Sequence, residues 1–180
     1  MKIRITASGR IRGSIATLMK QLDEWGIKVR NKSVLNLILN ELIINSVYHS
    51  HGYTREKEER VQVTLKKGEF VDLFFAHSAD AYGISITDYK GELTKHKILD
   101  SIRKAVEESQ MILRAYETGE EISDKVSETG RGIDLVRKLT SEYYFVIRNK
   151  VRTEIILLFD REPPEHFESH SSLKIIEDPN

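Results

Sequence analysis

The chain has 180 residues, 39% of them hydrophobic and 31% charged, enough for a sizeable core and about one to one and a half domains. Lys plus Arg and Asp plus Glu each number 28, so net charge directs the chain neither to nucleic acid nor to an anionic membrane surface, and with no cysteine it has no disulfide framework and no thiolate metal site. The N-terminus carries no apolar stretch of the signal-peptide type, and no run approaches the roughly 18 apolar residues of a membrane span, so a cytoplasmic location is expected.

Residues 2–6 (KIRIT) alternate apolar and polar side chains, the period of a short strand. A turn over residues 7–12 leads into an amphipathic helix over 14–25, with Ile15, Leu18, Met19, Leu22 and Trp25 on one side and Ser14 as its cap. Gly26 ends that helix. Asn31 or Ser33 caps the next one, whose centre is residues 35–51 (LNLILNELIINSVYHSH) and whose end is Gly52. After a charged connector over 53–60, strands at 61–65 and 70–76 read as a hairpin reversed at Lys67-Gly68. Residues 77–82 read as a polar loop, and 83–88 (GISITD) as a strand ending on an acid.

Residues 92–116 are helical through Leu93, Ile98, Leu99, Ile102, Val106, Met111 and Leu113. Residues 117–129 are acidic and almost without large apolar side chains, so they read as a loop, and 133–139 as a further helix. Strands at 143–148 and 154–159 join through a turn at 149–151. Beyond Arg161 come all three prolines and little periodicity, a flexible tail in which residues 173–176 are the one docking segment. Strands that follow one another in sequence predict antiparallel pairing with helices on one face, a two-layer α/β sandwich over residues 1–160 followed by a tail over 161–180.

Within the apolar helix, Glu41, Asn45 and His49 recur at i, i+4 and i+8 and share about 80° of arc. Polar groups left unpaired in a buried helix are costly. The three are therefore either satisfied or half-exposed structural residues, or a stripe facing a ligand, and periodicity leaves both open. The six histidines show no zinc-site spacing, and neither a GxxxxGK[ST] loop nor a G-x-S-x-G elbow occurs. Basic residues are scattered without an aromatic stripe, so nucleic-acid binding has no support.

Three more features follow in order: Asp88 with Gly91 three residues on, Gly130-Arg131-Gly132 at the mouth of a helix, and Arg152-Thr153-Glu154 opening the last strand. Together with the helix stripe they make residues 1–160 resemble the GHKL ATPase superfamily, the Bergerat fold of DNA gyrase and the histidine kinases, and within it the stand-alone anti-sigma-factor serine kinases. ELIINSVYH fits the family's E-x-x-x-N-x-x-x-H, GRGIDLV fits G-x-G-[IL]-x-L-[VI], and RTEIILLF fits a final-strand Thr followed by alternating apolar residues. The usual D-x-G-x-G is altered: Lys90 stands at its first Gly position and Glu92 at its last, leaving Gly91 as the one glycine.

The resemblance implies ATP and Mg²⁺ as ligands. It assigns Glu41 as the base that accepts a proton from an attacking hydroxyl or water, and Asn45 as the metal ligand through its side-chain oxygen. His49 is either a further contact or a structural hydrogen-bonder. Asp88 would accept from the adenine amino group, Gly91 would admit the base closely, and Thr153 would reach adenine through a shared water. Gly130 and Gly132 would offer bare N–H groups and a helix dipole to phosphates, Arg131 would add charge, and residues 117–129 would form the lid. The implied activity is transfer of the γ-phosphate to a Ser or Thr of a sigma-factor or anti-anti-sigma-like partner in partner switching, with a homodimer suggested by relatives. A non-catalytic module of the same fold, or an ATPase whose nucleotide state drives dimerisation, are the alternatives.

Overall fold

Period-two alternation makes one sheet with a buried and an open face. In the computed structural model, which describes residues 1–118, 140–161 and 172–178, the strands are β1 (Lys2–Ile5), β2 (Val71–His77), β3 (Ala81–Asp88), β4 (Glu142–Arg148), β5 (Arg152–Asp160) and β6 (Ser172–Glu177). They form a six-stranded open sheet in the order β1-β2-β3-β5-β4-β6. All neighbours are antiparallel except β4 and β6, which run parallel. The helices are α1 (Ile11–Glu24), α2 (Lys32–Tyr48), α3 (Thr54–Glu58) and α4 (Lys95–Thr118). The result is a mixed α/β fold.

The core lies between the inner face of the sheet and α1 and α2. Val71, Leu73 and Phe75 of β2, Ile84 and Ile86 of β3 and Leu157 of β5 meet Leu18 and Leu22 of α1 and Leu35, Ile38, Leu39 and Ile43 of α2 in one buried cluster. Burial of each such aliphatic side chain contributes roughly 1.5–3 kcal/mol. The side chain of Asn31 accepts from the Val34 N–H at 3.0 Å and caps α2, as its residue type predicts.

Four local expectations change. Residues 61–65 do not pair with β2; Thr64 makes an isolated bridge to Ala7, Val63 and Leu65 turn into the core, and β2 pairs instead with the N-terminal strand. A two-stranded hairpin is a weak unit, and in the sheet β2 is flanked by β1 and β3 instead. Ser14 is not a cap: α1 starts at Ile11, and Ser14 is buried inside it. The charged connector contains α3, and β3 begins at Ala81, which shortens the loop expected over 77–82. Residues 173–176 dock as the middle of β6 along β4. Glu117 and Thr118 close α4; the rest of the expected lid, Gly130, Arg131, Gly132 and the helix over 133–139 lie outside the described residues.

Candidate functional site

Burial of Leu35, Ile38, Leu39, Leu42, Ile43 and Val47 fixes how α2 is turned. With that side against the sheet, Glu41 is half-buried and Asn45 and His49 are exposed, so the stripe opens outward. Among the described residues no group pairs with the Glu41 carboxylate. One turn on, the side-chain oxygen of Asn45 accepts from Lys57 Nζ at 2.9 Å, and Lys57 Nζ also lies 3.1 Å from His49 Nε2. An ammonium only donates, so His49 Nε2 is the acceptor and its Nδ1 carries the proton, 3.1 Å from Thr54 Oγ1. Partial desolvation of its ring first, and the Lys57 charge second, push the His49 pKa down, which favours the neutral ring.

Lys57 arrives there because the chain reverses at the tip of α2. Gly52, at φ +79°, donates to the His49 carbonyl at 3.2 Å, and Tyr53 N–H donates to the Tyr48 carbonyl at 2.8 Å. A positive φ is what glycine supplies at a helix end. α3 then lies beside the last turn of α2.

Asp88 sits below the same tip. It ends β3 at 3% exposure, on the inner face. One carboxylate oxygen accepts from the Lys90 and Gly91 N–H groups at 3.0 and 3.1 Å, the other from Ser50 Oγ at 3.1 Å. Burial raises the Asp88 pKa, against the pull of these three bonds and of nearby His51. His51 Nδ1 lies 2.9 Å from the Ser46 carbonyl, which makes it the donor. Directly across the sheet, Thr153 is the register partner of Asp88 and is 1% exposed. Its hydroxyl has no hydrogen-bond partner among the described residues.

Each residue from Asp88 to Gly91 is tied to a different neighbour. Tyr89 donates its hydroxyl to Asp72 at 3.0 Å. Lys90 Nζ pairs with Glu69 at 2.5 Å, so its charge is turned onto an acid. Gly91 adopts φ +63° and its carbonyl accepts from Lys150 N–H at 3.0 Å. A Cβ at Gly91 would sit 2.5 Å from the Arg148 carbonyl and 2.6 Å from Val151 N, so the turn between β4 and β5 already demands glycine there.

The structure places Asn45 and His49 at the tip of α2 with Asp88, Gly91 and Thr153 in the sheet and turn beside it, and Glu41 further back along the same helix, while Gly130, Arg131 and Gly132 lie outside the described residues. Sequence reasoning passed over Ser50, His51 and Lys57. Ser50 and His51 follow directly on the stripe of α2, within a turn of its end, whereas Lys57 depends on the reversal at Gly52. A scan against protein-family models finds no match to this chain, and a search of curated proteins finds none either. Among the described residues no helix is long and apolar enough to cross a membrane.

Proposed function

We propose that the chain is an ATP-binding regulator of the GHKL type that acts as a serine/threonine protein kinase of the anti-sigma-factor kind. One observation carries the reading. A buried carboxylate, Asp88, pairs in register with Thr153, whose buried hydroxyl has no partner among the described residues, beside the end of the helix that bears Glu41 and Asn45. An orphaned buried hydroxyl is costly, and so is a carboxylate whose pKa burial raises. A ligand that donates to Asp88 and reaches Thr153 directly or through water relieves both, and the amino edge of adenine has that chemistry.

The donor set suits a nucleotide-borne divalent ion. Among the described residues no three His, Cys, Asp or Glu side chains are grouped to hold a metal. Asn45 offers one hard oxygen, already occupied by a cation, Lys57. Mg²⁺ binds through one or two protein oxygens, waters and phosphates, which fits that single ligand. Bound Mg-ATP would supply the phosphoryl group and the charge neutralisation. Glu41, unpaired and one turn before Asn45, accepts the proton from the attacking hydroxyl of a partner Ser or Thr, or from water.

The test is calorimetry together with phosphoryl transfer from labelled ATP. Glu41→Gln should keep ATP affinity within about threefold and lower turnover roughly a hundredfold or more. A variant that turns over like wild type removes Glu41 as the base. The non-catalytic alternative draws on Lys57 filling the metal-facing oxygen of Asn45. It predicts ATP binding by the wild type with neither hydrolysis nor transfer.

A further inference from the structure

Lys57 is placed in an unusual way for a lysine on a charged helix. Its neighbours Arg55 and Glu59 pair with each other at 2.7 Å. Lys57 instead sits on two neutral acceptors, Asn45 Oδ1 and His49 Nε2, and makes no ion pair among the described residues. Its two contacts there are both to uncharged atoms. Lys97 of α4 donates to the Glu92 carbonyl at 3.0 Å, and its charge, like that of Glu58, acts on the His49 ring. Lys97 also makes no ion pair among the described residues.

An ammonium that rests on Asn45 and His49 and makes no ion pair among the described residues makes a place for a polyanion. Resting on the nucleotide reading above, we propose that Lys57 binds the polyphosphate of the ligand, and that it stands in for the divalent cation on Asn45 Oδ1 until metal-bound nucleotide replaces it. A lysine acts there as a mobile point charge, with three donors and a flexible stem. It can leave Asn45 for a phosphate oxygen without rearranging α2 or α3. Among the described residues no ion pair holds it back. Lys57 and the metal then do overlapping work. Either one neutralises phosphate next to Asn45, and loss of the lysine makes binding lean harder on the metal.

The experiment is calorimetric titration of the full chain and of Lys57→Met and Lys57→Arg. The ligands are adenosine, ATP with EDTA, ATP with Mg²⁺, and inorganic tripolyphosphate with EDTA. Lys57→Met should weaken tripolyphosphate and metal-free ATP about tenfold and leave adenosine unchanged, while Lys57→Arg stays within about threefold. The gain in ATP affinity on adding Mg²⁺ should be roughly tenfold larger in Lys57→Met than in wild type. A merely structural lysine would not alter that ratio. Equal tripolyphosphate affinity in wild type and Lys57→Met, or a wild type that binds adenosine but no tripolyphosphate, overturns the proposal and leaves the nucleotide reading standing. Lys57-dependent binding of tripolyphosphate with no preference for adenine does the reverse. No binding of any of these ligands removes both.

Discussion

Thr153 and Asp88 each carry a cost in the folded protein that packing does not explain. The Thr153 hydroxyl is buried without a partner among the described residues, and the Asp88 carboxyl is buried enough to raise its pKa despite three hydrogen bonds. For an acid, a folded pKa above the unfolded one favours the native state at low pH, and that contribution is lost as pH rises through the folded value. Near neutrality Asp88 therefore works against stability, as groups kept for binding commonly do. Thr153→Val keeps the shape and deletes the orphan. It should stabilise the ligand-free protein by about 1 kcal/mol in urea denaturation and weaken adenine-nucleotide binding several-fold. A destabilised variant would mean that the hydroxyl has a water partner of structural value. Tightened or unchanged binding would take Thr153 out of the site.

At the scale of elements, the segment from Asp88 to Gly91 is the joint of the site. It links the tip of α2, strand β2 and the turn between β4 and β5. Gly91→Ala places a Cβ against the Arg148 carbonyl at an unfavourable φ. The backbone conformation alone costs about 1–2 kcal/mol, and the overlap adds to it, so the melting temperature should fall by at least several degrees. An unchanged melting temperature would show that the joint yields freely. Local patterns made much of this legible: the strands over 143–148 and 154–159, the Asn31 cap and the polar stripe of α2 follow from side-chain period and residue type. What failed to be legible was pairing at long range. The β1–β2 ladder, the bond from Ser50 to Asp88 and the reach of Lys57 to Asn45 depend on where distant segments meet, and no local period encodes that.

For the molecule as a whole, the far side of the sheet has its own charge centre. Asp72 is 0% exposed and accepts from Lys2 Nζ at 2.8 Å, from Arg4 at 2.9 and 3.1 Å and from Tyr89. Burial pushes its pKa up, but these donors outweigh burial and hold it below the usual aspartate range. A depressed pKa contributes stability that is complete above about pH 4, the unfolded value, and disappears as pH falls through the lower folded one. Asp72→Asn should thus cost about 1–3 kcal/mol at pH 7, and the difference from wild type should shrink towards pH 3 in denaturant titrations. A pH-independent difference would assign the loss to packing alone.

The nucleotide claim is tested most directly by thermal unfolding of wild type and Asp88→Asn with Mg-ATP and with Mg-GTP. Asparagine keeps an oxygen for the Lys90 and Gly91 N–H groups, so the variant should fold and melt near wild type. At about a hundredfold excess over Kd, ATP should raise the melting temperature of wild type by roughly 5–10 °C and that of Asp88→Asn hardly at all, and GTP should shift neither. A wild type that melts at the same temperature with and without ATP, or an equal ATP-induced rise in Asp88→Asn, would contradict the account.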